Sequence, residues 1–253
     1  MDRETYYVIY KFYMIRMLRS WFGLFIFVVL PVIIAAVISM IYTSNAAEEI
    51  YVEGYNMTAT YISIYMMLLF QLNGGTYLLD FMNRDLLKEM KWRIRVSPNP
   101  PSVFIFVCIL ACTIFTTLQG VLIIMTSSLL LKAYWGNIGI AICTIILISI
   151  LSQLLNMLFL LLSDSAATAE SLSWSLSTVM VVLGGAVFTL PDNVFFRFMK
   201  EYGSPYALAS SAILESGFLQ SSMHGSWFYL SLLCVMVMLL ALVTIVLGRR
   251  KLR

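Results

Sequence analysis

Apolar residues in this chain come in long runs, and polar residues collect in the shorter stretches between them. A helix needs about 20 largely apolar residues to cross the hydrocarbon core of a bilayer. Six runs reach that length, at residues 21–42, 58–79, 102–131, 138–163, 171–190 and 227–248. The pattern therefore predicts an all-α, polytopic membrane protein with six transmembrane helices in one domain, residues 1–253.

Basic residues orient the six predicted helices. Thirteen of the sixteen lysines and arginines lie in residues 1–20, in residues 84–95 or in the last five residues. Lysine and arginine close to a membrane span stay on the cytoplasmic side during insertion. The distribution therefore predicts a multi-pass protein of the cell (plasma) membrane, with both termini and the central segment in the cytoplasm.

The composition excludes a soluble domain. Hydrophobic residues make up 61% of the chain and charged residues 11%, so polar side chains are too few to cover a water-soluble core. The net charge of +3 does not indicate nucleic-acid binding, because the positive-inside rule already explains where the basic residues lie. All four cysteines fall inside predicted spans, and we expect neither disulfides nor metal binding from them.

Two segments outside the predicted spans mix apolar and charged residues. Residues 1–20 combine aromatic and aliphatic side chains with basic ones, which favours a helix in the inner headgroup layer over a plain extension of the first span. Residues 191–226 are rich in Phe, Tyr, Met and Leu, and we expect short helices in or near the outer headgroup layer rather than a free loop. Within the first span, Pro31 predicts a kink in the helix, unless neighbouring helices absorb the break.

The central segment, residues 80–101, is predicted to form a charged amphipathic helix. Leu86, Met90 and Ile94 recur every four residues, basic side chains flank them, and three prolines end the helix before the third span. Such a helix can lie on the inner leaflet or dock on a cytosolic partner; the alternative is a surface helix that satisfies only the positive-inside rule. The residues expected to contact a partner are Arg84, Asp85, Leu86, Lys88, Glu89, Met90 and Arg93.

Motifs for intramembrane catalysis and for nucleotide binding are missing from the sequence. The chain has no His-Glu-x-x-His run, no Gly-x-Ser-x-Gly elbow and no Gly-rich phosphate-binding loop ending in Lys-Ser/Thr. No pair of carboxylates lies in the middle of a span, although proton-coupled carriers usually need ionisable groups at depth. The sequence therefore favours neither an enzyme nor a proton-driven pump, and we expect ATP to be handled by another protein.

Uncharged polar side chains lie at depth instead. Gln71 and Asn73 fall in the second span, Gln153 and Asn156 in the fourth, and Ser177 in the fifth. Because the second and fourth spans run in the same direction, we expect the four amides at a similar level in the inner half of the membrane. Such side chains either bond between helices or line a translocation pathway, and the sequence leaves both roles open for these five residues.

Three features together resemble the membrane subunit of a type-2 ATP-binding-cassette transporter, the permease family of bacterial drug, bacteriocin and polysaccharide exporters. They are the helix before the first span, the charged segment Arg84 to Pro101 with its Val96-Ser97-Pro98, and Gly184-Gly185-Ala186-Val187-Phe188-Thr189-Leu190-Pro191 followed by Gly203-Ser204-Pro205-Tyr206. The resemblance spans nearly the full length through the order and spacing of these features. Family members usually have a glycine inside the charged helix, where this chain has Met90-Lys91-Trp92.

The resemblance implies a connecting helix in residues 1–20, a coupling helix in residues 80–101 and outer re-entrant helices in residues 191–226. It also implies partners. Two six-span subunits would face each other, the second being a copy of this chain or a homologous permease, and two cytosolic ATPase subunits would hold ATP and Mg beneath them. This chain would itself bind no cofactor and no nucleic acid, and membrane lipids of a bacterial cell would surround it.

The expected function is ATP-driven export of an amphipathic or lipophilic compound, with a drug or an antimicrobial peptide as the cargo. The low polarity of the spans favours such a substrate. The alternative is a non-transporting membrane anchor or sensor subunit that binds a cytosolic partner through the same helix. An ion channel is disfavoured, because the sequence shows neither a ring of charges nor a filter-like backbone segment.

Overall fold

The structure is a computed structural model that describes residues 3–45, 51–52, 54–87, 96, 101–163, 165–186, 190–217 and 224–251. Its helices are α1 (Arg3–Leu18), α2 (Trp21–Leu24), α3 (Leu30–Asn45), α4 (Met57–Leu72), α5 (Thr76–Met82), α6 (Pro101–Leu131), α7 (Ile138–Leu162), α8 (Ala166–Leu183), α9 (Val194–Phe198), α10 (Pro205–Glu215) and α11 (His224–Lys251). Three π-helical segments adjoin them: π1 (Phe25–Val29), π2 (Asn83–Leu87) and π3 (Met199–Gly203). The strands β1 (Tyr51–Val52) and β2 (Tyr55–Asn56) pair antiparallel.

The described residues contain six helices that are long and apolar enough to cross a membrane. In chain order, these spans are Trp21–Ile41, Met57–Asp85, Ser102–Leu131, Ile138–Leu162, Ala166–Leu183 and His224–Gly248. Each of them overlaps one of the six predicted runs. The chain therefore has the all-α, six-helix character of a polytopic membrane protein that its apolar pattern predicts.

The fifth span begins and ends earlier than the apolar run of residues 171–190. The Ser165 side chain caps its first turn by accepting a hydrogen bond from the backbone N–H of Thr168 at 3.1 Å, so the helix starts before the apolar run does. Gly184 follows the last helical residue, and Gly185 has a φ of 75°, a left-handed conformation that commonly ends helices. Capping residues, rather than hydropathy, set both ends of this span.

The second, third and fourth spans form the centre of the bundle. Of their most apolar windows, 72%, 61% and 56% of the residues are buried, against 17%, 22% and 22% for the first, fifth and sixth spans. The fourth span packs against α4, α5, α6, α8, α10 and α11. The three outer spans therefore leave much apolar surface exposed, as expected for helices that face lipid or a second subunit.

The N-terminal helix α1 is separate from the first span. The chain turns at Arg19 and Ser20 before α2 begins, so α1 is not a plain extension of that span. Tyr13 and Met17 are buried, and α1 packs mainly against α6. Its other side exposes apolar residues, namely Tyr6, Tyr7, Val8, Phe12, Ile15 and Leu18. A helix in the headgroup layer needs such a surface, and the interfacial position stays a prediction.

Pro31 is accommodated by a local widening of the first span. Proline lacks a backbone N–H, and its ring would clash with the carbonyl of Phe27 in a regular α-helix. The π-helical segment π1 directly precedes this turn, and it lets α2, π1 and α3 continue as one span. The helix therefore accommodates Pro31 through a π-segment, which the sequence did not predict.

The helices predicted in residues 191–226 are present in the described part of that segment. α9 and π3 lie at the surface, whereas α10 is buried against α4, α7, α8 and α11. Pro205 begins α10, and the Ser204 hydroxyl just before it donates a hydrogen bond to the carbonyl of Met180 at 2.6 Å. α10 is thus packed into the bundle, and its placement as a re-entrant membrane helix stays a prediction.

Candidate functional site at the break in the second span

The second span is interrupted by a three-residue turn, Asn73-Gly74-Gly75, between α4 and α5. Both glycines are buried against other spans. A Cβ atom at Gly74 would lie 2.9 Å from the Thr116 methyl group, and one at Gly75 would collide with the Asn156 side chain. The absence of side chains at these two positions therefore lets the third and fourth spans approach the turn closely.

Ser152 on the fourth span replaces backbone hydrogen bonds that the turn interrupts. Its hydroxyl accepts a hydrogen bond from the N–H of Gly75 at 2.8 Å and donates one to the carbonyl of Leu72 at 2.6 Å. Within the turn, the N–H of Gly74 donates to the carbonyl of Gln71 at 3.1 Å. A bilayer core offers no water to freed backbone groups, so a helix break at this depth requires such internal partners.

Four of the five predicted polar residues surround this turn, and we call them the amide cluster: Gln71, Asn73, Gln153 and Asn156. Each has 0–3% of its surface exposed. The Gln71 side chain has a partner at both ends, since its Nε2 donates to the carbonyl of Thr116 at 2.8 Å and its Oε1 accepts from the Ser149 hydroxyl at 3.5 Å. The structure brings the four amides together around one turn, between the second, third and fourth spans, and their common level in the membrane stays a prediction.

In each of the other three amides of the cluster, the NH2 group has a hydrogen-bond partner and the oxygen has none. Each NH2 group donates to a backbone carbonyl: Asn73 to Leu69 at 2.9 Å, Gln153 to Gly74 at 3.5 Å and Asn156 to Ser152 at 2.9 Å. None of the three side-chain oxygens accepts a hydrogen bond from any residue that the structure describes. The cluster therefore presents three side-chain oxygens without a donor, while each of the three nitrogens uses one of its two N–H groups.

The chemistry available at the amide cluster is uncharged. Its members are amides with serine, threonine and glycine around them, and the described residues include no group of three or more His, Cys, Asp or Glu that could hold a metal ion. Side-chain amides stay uncharged near neutral pH, so the cluster cannot act as a general acid or base. What it can do is bind hydrogen-bond donors or join helices.

Sequence analysis missed several members of this site. Ser149 and Ser152 lie on the same face of the fourth span as Gln153 and Asn156, at separations of three and four residues, and this helical spacing could have indicated one polar face. The backbone carbonyl of Thr116 gives no sequence signal at all. Its role depends on how the third span packs on the second, which the residue pattern does not specify.

The fifth predicted polar residue, Ser177, lies on α8. It is buried toward α4, α5 and α7, and its hydroxyl has no partner among the described residues. Another side of α8 exposes polar residues, which we call the polar face of the fifth span: Ser171, Ser175 and Thr178. A pathway-lining role for Ser177 and for the four amides stays a prediction, and all five are closed off from the surface here.

A second group of polar contacts lies where the second span meets α1. Asp85 is 2% exposed. One carboxylate oxygen accepts a hydrogen bond from the Tyr13 hydroxyl at 2.8 Å, and the other pairs with the Arg16 guanidinium at 3.3 Å. The guanidinium also lies over the Phe81 ring, 4.6 Å from its centre. We call Tyr13, Arg16 and Asp85 the α1 anchor.

The Tyr13 phenol acts as a permanent donor in the α1 anchor. Burial raises its pKa above the ordinary value, and the nearby Cys108 thiol and Asp85 carboxylate raise it further. The phenol therefore stays protonated at any physiological pH and can always donate to the carboxylate. A buried carboxylate with two such partners stabilises the fold only while both remain in place.

The predicted partner contacts are described only in part. Arg84 is exposed and pairs with Asp80 at 2.9 Å, so it can reach another protein. The Asp85 carboxylate is already occupied by the α1 anchor, and Leu86 lies in π2. The side chain of Leu86, and all of Lys88, Glu89, Met90 and Arg93, lie outside the described residues. Partner contact by these seven residues stays a prediction.

None of the family models, curated proteins or solved structures with which the chain was compared matches it. The resemblance to type-2 ATP-binding-cassette permeases therefore rests on the motifs and their order along the sequence. Function has to be argued from the six spans, the enclosed amide cluster and the α1 anchor.

Proposed function

We propose that this chain is the membrane subunit of an ATP-driven exporter of the type-2 ATP-binding-cassette class. In this proposal it forms one half of a pair of six-span subunits, the other half being a second copy or a homologous permease. Separate cytosolic ATPases hold ATP and Mg, and the cargo is an amphipathic or lipophilic compound such as a drug or an antimicrobial peptide. The chain lies in a bacterial plasma membrane with both termini in the cytoplasm.

The observation that supports this proposal most directly is the course of the second span. It is the most buried of the six spans, and its helix runs through α5 and π2 directly into the charged segment that begins at Arg84. A force applied to that segment would therefore act without an intervening loop on α5 and on the third, fourth and fifth spans that α5 contacts. A transporter driven by a separate ATPase needs such a connection, because the ATPase can shift the pore only through the surface it touches.

The α1 anchor supports the same proposal. Asp85 lies at the start of the charged segment, and it is bonded to two side chains of α1. Movement of the segment would therefore displace α1 together with the end of the second span. Two elements that move as one give an ATPase a larger lever than a single helix offers.

The polar face of the fifth span supports the two-subunit arrangement. Polar side chains on a membrane-spanning helix are costly against lipid and usually face protein or a water-filled cavity. In a single chain, Ser171, Ser175 and Thr178 face outward, and only 22% of this span's most apolar window is buried. A second subunit opposite this face, with a pathway between the two, would give these residues polar surroundings.

The test is transport by the isolated complex. The tagged chain is purified with any cytosolic ATPase that accompanies it and reconstituted into proteoliposomes, and ATP-dependent movement of a lipophilic fluorescent dye is measured. The variant Glu89→Lys reverses a charge at a predicted partner contact. We expect dye transport and ATPase stimulation to fall at least about tenfold, while the chain still inserts in the membrane.

A charge reversal on the opposite side of the membrane is the matched control. Asp192 is exposed and forms only a surface ion pair with Arg197 at 3.5 Å, so Asp192→Lys is expected to leave transport unchanged. Unchanged transport in Glu89→Lys as well would refute the coupling role of the charged segment.

The enclosed amide cluster favours a second candidate, the non-transporting anchor or sensor subunit. Gln71 and Gln153 bond to other spans at 0–3% exposure, which suits a bundle that holds one packing. In that case the cytosolic partner copurifies with the chain and Glu89→Lys releases it, yet no dye crosses the membrane in the presence of ATP. Dye transport by the intact complex would exclude this candidate.

A further inference from the structure

The donors of the amides determine their orientations around the break. Asn73 and Asn156 each direct an NH2 group at a backbone carbonyl 2.9 Å away, and Gln153 does so more weakly at 3.5 Å. Rotating any of these amides by half a turn would bring its oxygen against that carbonyl, and two acceptors repel each other. Each side-chain oxygen is therefore directed away from its carbonyl partner, into an interior where no described residue donates to it.

Three such oxygens around one turn require an explanation. A buried acceptor without a donor is destabilising, and most buried polar groups in proteins have a protein, water or ion partner. The three side chains touch the same short turn: Gln153 bonds to the Gly74 carbonyl, and the Asn156 amide abuts Gly75. Gln153 and Asn156 are also one helical turn apart on the fourth span, so they lie on the same face.

The chemistry of the three oxygens restricts what they could bind. They are neutral acceptors, so an anion would be repelled, and a divalent cation would lack the carboxylates that normally balance its charge. A small ligand that offers hydrogen-bond donors, or a single positive charge, fits them. Water is the common partner of buried polar groups, and the unwound backbone of broken membrane helices also coordinates monovalent cations.

We propose that Asn73, Gln153 and Asn156 form an internal binding site for a small electropositive ligand, either a water molecule or a monovalent cation. The ligand joins the second span to the fourth span at the break. This site does not depend on the proposed export function, because an anchor subunit with the same bundle would contain it too. Its occupation is therefore tested by folding stability, without a transport assay.

The test depends on the sign of a stability change. The variants Asn73→Leu, Gln153→Met and Asn156→Leu each replace one oxygen with apolar atoms of similar size. If nothing binds there, each variant removes an unpaired acceptor, and the melting temperature of the purified protein in detergent should rise or stay the same. If a ligand binds, each variant removes one of its partners, and the melting temperature should fall by about 2–4 °C.

Asn156→Leu gives the decisive comparison, because loss of its NH2 group leaves no carbonyl without a donor, whereas Gln153→Met also takes a donor from the Gly74 carbonyl. Asn156 donates to the carbonyl of Ser152, four residues earlier in the same helix, and the helix's own N–H also serves that carbonyl. Ser63→Ala is the matched control, since Ser63 has a buried hydroxyl without a partner and lies about 15 Å along the helix from Asn73. It should leave the melting temperature unchanged or raise it.

A double variant tests whether the oxygens share one ligand. Once Asn156→Leu has weakened the ligand, the added change Gln153→Met removes an acceptor that has lost its partner. The melting temperature of the double variant should therefore fall by less than the sum of the decreases in the two single variants. If a larger side chain prevents folding at position 156, Asn156→Ser removes the same oxygen without adding volume.

Salt distinguishes the two possible ligands. Melting of the wild-type protein is compared in sodium, potassium and choline chloride at equal ionic strength. A cation site gives a melting temperature that rises with sodium or potassium concentration, and the rise disappears in Asn156→Leu. Lower melting temperatures in the variants without any cation dependence identify water. The proposal is overturned if Asn156→Leu melts at or above the wild-type temperature.

Discussion

At the scale of single residues, the α1 anchor shows what a sequence pattern cannot reveal. Asp85 is predicted as a partner contact because the charged flanks of an amphipathic helix can pair with another protein. Within this chain, its side chain bonds to Tyr13 and Arg16, which are 72 and 69 residues away along the sequence. Only the packing of α1 against the bundle brings them together. A buried carboxylate must be paired, but the sequence alone does not say by which residue.

The variant Tyr13→Phe tests the α1 anchor. It removes the hydroxyl that donates to the buried carboxylate at 2.8 Å and keeps the ring that packs against Phe81. Losing a hydrogen bond to a charged group costs about 1.5–3 kcal/mol, so we expect the melting temperature in detergent to fall by several degrees. Tyr7→Phe on the exposed side of α1 is the control and should melt like the wild type. Equal melting of both variants would show that the hydroxyl contributes nothing.

At the scale of secondary-structure elements, hydropathy predicted which segments are helices but not where they end or bend. The six apolar runs correspond to the six spans, since any segment that buries its backbone in lipid must be helical. The fifth span nevertheless begins at the cap of Ser165, before the apolar run, and the first span contains π1 next to Pro31. Caps and π-segments depend on local backbone hydrogen bonds, which an average over about 20 residues does not detect.

The end of the third span offers a test of such a terminus. Lys132 follows α6 with a φ of 53°, a left-handed conformation that glycine adopts more easily than other residues. Lys132→Gly should therefore stabilise the protein by roughly 0.5–1 kcal/mol, after allowing for the greater freedom of glycine in the unfolded chain. Lys132→Ala removes the same exposed side chain but keeps the Cβ atom, so it should give no gain. Chemical unfolding in detergent separates the two.

At the scale of the whole molecule, the sequence predicted a bundle but not which of its spans are central. All six spans are apolar because both lipid and neighbouring helices favour apolar surfaces, so hydropathy does not distinguish the buried second span from the exposed first. The uncharged polar residues do distinguish the central spans. Gln71, Gln119 and Gln153 belong to the three central spans, where helix partners can satisfy them. Whether such amides bond helices or line a pathway depends on whether neighbouring spans enclose them. The packing of the spans shows this, and the sequence does not.

The proposed pairing of two subunits can be tested by disulfide cross-linking. In a chain whose four cysteines are replaced by alanine, Ser175→Cys places a thiol on the polar face of the fifth span, and Leu239→Cys places one on the exposed side of the sixth span. If the polar face meets its counterpart on a second copy, mild oxidation of native membranes should give a disulfide-linked dimer for Ser175→Cys and little or none for Leu239→Cys. The pairing is symmetric, so one residue can meet itself across the interface. Preferential cross-linking of Leu239→Cys would show that the interface lies at the sixth span. Equally weak cross-linking of both variants would indicate that the polar face contacts a different subunit and not a second copy of this chain.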